Sequence, residues 1–316
     1  MSARDAILQI VHGELAQPVP PEALAVADRI REIYGSAVRG ILFYGSCLRT
    51  GYDDGVLDLY VLVDTYRGAY TNPGLVFLNR VLPPNVFYLE AEAAGRVARA
   101  KYAILALHDL GRFTSTKCFE PYFWARFAQP CALVFASDDG VRNEVTSALA
   151  DAIVTFVRRG VPLVAPRFGS RDLWTTTWRE TYRGELRTER SGVGDTLWAS
   201  ASPRYEQVTE LALGVAGFPV QASTAGDRRQ YEVRLSAAAR RRALWLWRLR
   251  RLHGKVRFTM RMFRNALIFE GAVDYVLWKI QRHSGIETDR DWRSKRRPLL
   301  ALGAEAWRLY RAGAFR

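Results

Sequence analysis

The stretch from Ile41 to Tyr66, ILFYGSCLRTGYDDGVLDLYVLVDTY, constrains the fold more than any other part of the chain. Two apolar runs rich in β-branched and aromatic residues flank a loop of about a dozen residues with Gly and Asp, which reads as strand, loop, strand. Gly45-Ser46 closes the first run. Asp58 stands just inside the second, where a buried strand should exclude charge. Two readings explain it. Asp58 is the edge of the loop and Gly45-Ser46 an ordinary turn, or the two strand ends together face a charged ligand.

Length and charge narrow the choice. A chain of 316 residues has room for two domains with ample core. With 49% apolar and 25% charged residues it has a globular composition, which argues against disorder. The net charge of +14 points to a polyanionic partner: nucleic acid, an anionic membrane surface or a phosphorylated substrate. The excess is uneven, because residues 236–316 hold about 20 Lys/Arg against about 6 Asp/Glu. Cys47, Cys118 and Cys131 form no CxxC pair and no Cys/His cluster, which speaks against a zinc site or disulfide framework and fits a reducing cytoplasm. The N-terminal MSARDAILQIVHGELAQ has neither an apolar signal core nor an Arg-rich presequence, and no stretch has the length of a membrane span. The expected location is intracellular, either soluble or peripheral on a membrane.

PPEALAVADRIREIYGS spaces Leu24, Val26, Ile30 and Ile33 as one face of a helix that ends before Gly35. VRGILFYG, GVLDLYVLVD, NVFYLEA and PCALVFAS read as strands, whereas AEAAGRVARAKYAILALHDLG fits helix and strand equally. EVTSALADAIVTFVRRG, SRDLWTTTWRETYRGELR and RYEQVTELALGVAG read as helices, and PVQASTAGDRRQ as a linker. The expected class is α/β: a mixed-sheet domain over residues 1–135, a helical, winged-helix-like domain over 136–235, and a basic amphipathic helical tail over 236–316.

A strand ending in Gly-Ser, a loop, and a second strand opening with Asp form the core of the nucleotidyltransferase fold. Gly45 lets backbone N–H groups approach a phosphate closely. The Ser46 hydroxyl would donate to a phosphate oxygen, and Asp58 would hold Mg²⁺ against the same phosphates. Such folds place a second carboxylate two residues after the first. Here that position is Tyr60, and Asp53, Asp54 and Asp64 do not have the spacing.

From Tyr44 to Glu189 the chain resembles the mitochondrial-type phosphatidate cytidylyltransferases, the family tied to cardiolipin synthesis and mitochondrial translocator maintenance. The family's Tyr-Gly-Ser is similar to Tyr44-Gly45-Ser46, and its Leu-Asp before an apolar strand ending Val-Asp to Leu57 through Asp64. That family also relaxes the second carboxylate. Its Lys-Tyr-Gly is similar to Lys101 through Ala103, its Gly-Arg-Leu followed by Pro to Ala125 through Pro130, and its Tyr-x-Gly-Asp-x-Arg to Tyr182 through Arg187. Ala103, Ala125 and Glu185 depart from the pattern. The resemblance implies CTP plus phosphatidate giving CDP-diacylglycerol and pyrophosphate, with Mg²⁺ as cofactor. It implies Asp58 and Lys101 as catalytic residues, and Gly45, Ser46, Lys101 and Arg126 around CTP. Arg187, Asn79 and Asn85 would lie around the lipid phosphate, and Asp58 and Glu185 at the metal. A phosphate monoester is already an anion near neutral pH, so such a nucleophile needs no strong base, and its obstacle is repulsion by the triphosphate.

The tail falls outside the resemblance. Trp245, Leu249, Leu252, Val256, Met260, Phe263 and Leu267 recur every three or four residues, with Arg241, Arg248, Arg251, Lys255 and Arg264 beside or opposite them. A second apolar stripe follows at Val273, Val276, Leu277 and Ile280. Such a segment reads as an interfacial anchor on an anionic, phosphatidate-bearing membrane, on the inner face of the cytoplasmic membrane. Packing on the protein's own core is the alternative. No nucleic acid is expected as partner, since basic and large apolar residues interleave without an RNA-binding signature. A nucleotidyltransferase acting on RNA or another phosphorylated acceptor, and an inactive nucleotide-binding module, are the rival readings.

Overall fold

The structure is a computed structural model that describes residues 1–51, 55–93, 95–185, 192–225, 228–268 and 308. Helices α1 (Ala3–Leu15) and α2 (Pro21–Tyr34) lead into strand β1 (Val38–Tyr44). Then come α3 (Ser46–Thr50), β2 (Val56–Val63), α4 (Tyr66–Ala69), α5 (Pro73–Val81), β3 (Asn85–Ala93) and β4 (Arg96–Ala106). Helices α6 (Leu107–Thr114) and α7 (Pro121–Phe127) precede β5 (Ala132–Ala136). The strands form one mixed sheet in the order β3-β4-β2-β1-β5, with β2 and β4 parallel and the other neighbours antiparallel.

Alternation along β2 sorts its side chains between two layers. Leu57, Leu59, Val61 and Val63 face a layer containing Ala23, Val26, Ala27 and Ile30 of α2. On α2 itself Leu24 and Ile33 are exposed, so the buried face is narrower and built partly from alanine. Tyr60 and Leu62 face the opposite layer, against α7 and the long α8 (Asp139–Gly160). Helix α8 is buried on most of its circumference, the mark of a central helix.

The second half continues with β6 (Arg167–Gly169), α9 (Ser170–Tyr182), α10 (Val193–Ser200), α11 (Ser202–Val215), β7 (Val220–Ala225), β8 (Arg228–Val233) and α12 (Ala237–Ile268). Strands β6, β8 and β7 form an antiparallel sheet in that order. Two features differ from expectation. The segment read as a linker, Pro219–Gln230, largely forms the β7–β8 hairpin, held down by buried Tyr231 and Val233. The apolar core also runs unbroken past residues 135 and 235: Leu42 and Tyr60 of the sheet, α8, α9, α11 and Trp247 of α12 belong to one cluster.

Helix α12 is seated by an unusual face. Trp247, Arg250, Gly254, Arg257, Arg261 and Arg264 recur at alternating spacings of three and four, so they share one side. Trp247, Arg250, Arg261 and Arg264 are buried. Trp247 Nε1 donates to the Arg159 carbonyl (3.0 Å), and Arg250 Nε to that of Phe119 (3.0 Å). A Cβ on Gly254 would meet the Gly184 carbonyl oxygen at 3.0 Å, so α12 crosses the turn after α9 at a glycine–glycine contact. The apolar row points the other way: Trp245 is 57% exposed, Leu252 63%, Val256 53% and Met260 48%. The expected tail is therefore, over α12, an integral helix with arginines inward and large apolar residues outward. Its second stripe lies outside the described residues. No helix among the described residues is long and apolar enough to cross a membrane.

Candidate active site

Register brings three site side chains into line. Tyr44 of β1 pairs with Asp58 of β2, and Asp58 pairs with Lys101 of β4. Asp58 lies two residues before Tyr60 and so points to the same side of the sheet. Tyr60 lies under α7, while Asp58 is one step beyond that cover and opens into a cleft. Asp58 thus occupies a strand position that borders an open cleft and not the core. Lys101 Nζ lies 3.7 Å from Asp58 Oδ1, with both side chains about one-third exposed.

Gly45 turns the chain from β1 into α3 at φ +92°, a conformation that favours glycine. A Cβ there would also lie 2.9 Å from Asp58 Oδ2. Both the turn and the approach to the carboxylate thus require the missing side chain. Ser46 opens α3, and Arg49, one turn later, faces the same cleft and donates to Gln129 Oε1 (3.4 Å).

The cleft, about 350 Å³, is lined by Gly45, Ser46, Asp58, Lys101, Arg126 and Glu185. Arg126, at the end of α7, donates to the Tyr122 carbonyl (3.1 Å) and lies 4.2 Å from the Tyr122 ring centroid. Burial pulls its ionisation down, but Tyr122, Tyr60, Tyr44 and Glu185 outweigh that, so Arg126 remains a cation. Glu185 sits in the turn after α9, where α12 crosses at Gly184. A second lobe of about 250 Å³ shares Tyr44, Asp58, Lys101, Tyr122 and Arg126, and extends toward α12.

Asn79 and Asn85 do not line either lobe. Both are buried. Asn79 Nδ2 donates to the Ile104 carbonyl (3.0 Å), and its Oδ1 accepts from the Asn85 backbone N–H. Asn85 Nδ2 donates to the Leu75 carbonyl (3.1 Å). They knit α5 to the β3–β4 edge, so their expected place at a lipid phosphate is corrected to a structural one. Arg187 lies outside the described residues. Sequence reasoning missed Arg49, whose signal was its helical spacing from Ser46, and Arg261 and Arg264, discussed below.

Tyr60, in the place of a second carboxylate, is buried. Its ring lies 5.2 Å from that of Tyr44 and 4.8 Å from that of Phe127, between centroids. Burial, and then the Tyr122 phenol, push its ionisation well above the usual phenol range. Tyr60→Asp should cost about 3 kcal/mol or more, from lost packing and a buried carboxyl, whereas Tyr60→Phe should cost about 1 kcal/mol or less. Urea denaturation of the two variants checks this; equal midpoints would contradict it.

The residues fit a Mg²⁺ ion held chiefly by ligand phosphates. Asp58 and Glu185 line one cleft, and the Gly45 turn leaves open the space beside Asp58 that a side chain would fill. Among the described residues no three His, Cys, Asp or Glu cluster as a metal site. A scan against protein-family models finds no match for this chain, and a search of curated proteins finds none either.

Proposed function

We propose that this protein is a nucleotidyltransferase-fold cytidylyltransferase that joins CTP to phosphatidate at an anionic membrane surface, on the cytoplasmic side. The observation that carries this reading is convergence. Gly45, Ser46, Asp58, Lys101, Arg126 and Glu185 come from five separate segments spread along the chain, and they line one cleft. Those are the positions at which the sequence resembles the phosphatidate cytidylyltransferases. The order α8, β6, α9, α11 and the β7–β8 hairpin, with its β6-β8-β7 sheet, supports a winged-helix-like second unit.

In this reading the acceptor's phosphate oxygen forms a bond to the α-phosphorus of CTP. The bond to the bridging oxygen breaks, and pyrophosphate leaves with the electron pair. Mg²⁺, held by Asp58 with Glu185, would neutralise charge on the triphosphate. Lys101 and Arg126 bring fixed positive charge to the same place, and a site that meets developing charge with pre-positioned cations lowers the barrier. Gly45 and Ser46 seat the phosphates. No residue need act as a strong base, which accounts for a chain that places buried, neutral Tyr60 where a second carboxylate would serve.

The outward apolar row of α12, flanked by exposed Arg241, Arg242, Arg248 and Lys255, supports the membrane as partner. A nucleic acid would offer phosphates to the cations, but its base faces are met mainly by aromatic stacking, which Leu252 and Val256 do not supply.

The test is a panel of labelled CTP, ATP, GTP and UTP with Mg²⁺ and either phosphatidate vesicles or RNA. CTP label should enter the lipid phase with at least tenfold preference over the other nucleotides. Label on RNA 3′ ends would support the RNA-modifying reading, and transfer to neither acceptor would support an inactive module. Equal use of all four nucleotides would refute the cytidylyltransferase assignment.

A further inference from the structure

The second lobe of the cleft is unusually cationic. Lys101 and Arg126 enter it from the sheet and α7, and Arg261 and Arg264 from α12, with Asp58 the one carboxylate among its described lining residues. Arg261 is 5% exposed. Its Nε donates to the Pro83 carbonyl (2.9 Å) and its Nη1 to Glu120 Oε1 (2.7 Å). Its Nη2 is buried without a hydrogen-bond partner. Arg264, also buried, donates to the Leu82 and Pro84 carbonyls. Glu120 is shared, since its other oxygen takes Arg257 Nε at 2.9 Å. Thus two arginines on successive turns of α12, Arg257 and Arg261, meet one carboxylate, and Arg264 lies a further turn along.

That imbalance is costly in a folded protein. A buried cation needs an anion and a full set of acceptors, and a guanidinium N–H left without an acceptor carries its whole desolvation penalty. Burial, followed by the nearby Arg261 charge, pulls Arg264 down to about 10, and burial likewise lowers Arg257. Among the described lining residues four cations, Lys101, Arg126, Arg261 and Arg264, stand with one carboxylate, Asp58, so the pocket is positive. The lobe meets the first one at the Asp58–Lys101 row, so ligands in the two would adjoin at that row.

We propose that the second lobe seats the phosphate monoester of the acceptor, with Arg261 as its principal donor, so that α12 is a working wall of the active site. This rests on the cytidylyltransferase reading of the first lobe. The acceptor phosphate receives hydrogen bonds from Arg261 and charge from Arg264 and Lys101. One of its oxygens then bonds to the nucleotide's α-phosphorus as the bond to pyrophosphate breaks. A monoester dianion suits the lobe better than a diester, which has one charge fewer and one terminal oxygen fewer to receive the guanidinium N–H groups.

Arg261→Gln tests this, because Arg257 remains to hold Glu120. Binding of dihexanoyl phosphatidate, measured by calorimetry on the full chain, should weaken about 10- to 100-fold, with Arg261→Lys in between. The Kd for CTP with Mg²⁺ should stay within about twofold. Val86→Phe, which fills the lobe from β3 and leaves α12 untouched, should reproduce the loss if Arg261→Gln does not fold. Dihexanoyl phosphatidylcholine should not compete. If inorganic phosphate competes as well as dihexanoyl phosphatidate, the lobe recognises the bare anion and the acceptor assignment fails. Unchanged phosphatidate affinity in folded Arg261→Gln overturns the proposal even where the wild type turns over CTP. Arg261-dependent phosphatidate binding without CTP turnover would leave the subsite standing and refute the enzyme reading instead.

Discussion

Asp58→Asn should reduce cytidylyl transfer at least about 1,000-fold while the protein keeps its fold. The two halves of that expectation have different causes. Asp58 is one-third exposed, and its contact with Lys101, at 3.7 Å, lies in a solvated cleft. A pair of that kind contributes about 1 kcal/mol or less to stability, and Lys101 can be hydrated when its partner is lost. Asn has nearly the same shape, so the Gly45 turn beside it need not move. The chemistry is another matter. Asp58 stands at the centre of the Tyr44–Asp58–Lys101 row, and among the described residues Glu185 is the one other carboxylate lining that lobe. Losing a carboxylate that holds the metal against a triphosphate removes about 4 kcal/mol or more of transition-state stabilisation, and each 1.36 kcal/mol is tenfold in rate. Single-turnover assays with CTP and phosphatidate, paired with thermal melts, measure both halves. A folded Asp58→Asn protein with more than about one-tenth of the parent rate would sink the site assignment.

Much of the fold was legible because periodicity carries it. Strands β1, β2, β3 and β5 and helices α2, α8, α9 and α11 fall where alternation or helical spacing places them. Strand β4 was ambiguous for a definite reason. It passes at Ala106 directly into α6 at Leu107, with no glycine or proline between them, so one apolar run serves both elements. The β7–β8 hairpin was misread because Gln221, Ser223, Thr224 and their neighbours have the composition of a linker. Its pairing is fixed by a few side chains, chiefly Tyr231 and Val233, that reach a core built elsewhere.

The site divides along the same line. Gly45, Ser46 and Asp58 stood out because they sit at recognisable strand ends, Lys101, Arg126 and Glu185 through the family resemblance, and all six line one cleft. Arg261 and Arg264 were not. A helix with leucines on one side and arginines on the other is ordinarily read with the arginines in water. Here Arg250, Arg261 and Arg264 find the carbonyls of Phe119, Pro83, Leu82 and Pro84. Carbonyl acceptors belong to every residue type and leave no signature in the sequence. Asn79 and Asn85 were misassigned for the same reason, since their amide N–H groups are taken up by the carbonyls of Ile104 and Leu75.

The inversion of α12 leads to the second large effect. Leu252→Glu combined with Val256→Glu should abolish co-sedimentation with vesicles of four parts phosphatidylcholine to one part phosphatidate. It should also lower activity on those vesicles far more than on phosphatidate in detergent micelles. Both residues are more than half exposed, so the exchange should cost the fold little. At a membrane each leucine- or valine-sized side chain would bury apolar surface worth about 1.5–3 kcal/mol, and a carboxylate in its place adds repulsion from the anionic surface. Loss of both contacts corresponds to a weakening of about 100-fold or more. Truncation before Ser236, a simpler experiment on paper, would mislead. Trp247 is part of the main core, and Arg257 and Arg261 hold Glu120, so removing α12 would damage the protein itself. Exposed Arg241, Arg248 and Lys255 should each add about 1 kcal/mol at the anionic surface, so raising salt should weaken binding of the parent. If the double variant co-sediments as well as the parent, the apolar row does not face lipid. If it instead changes the oligomeric state and leaves vesicle binding intact, the row is a contact between copies of the chain. The arginine-lined wall would then reach the acceptor from a helix that touches protein on its outer side.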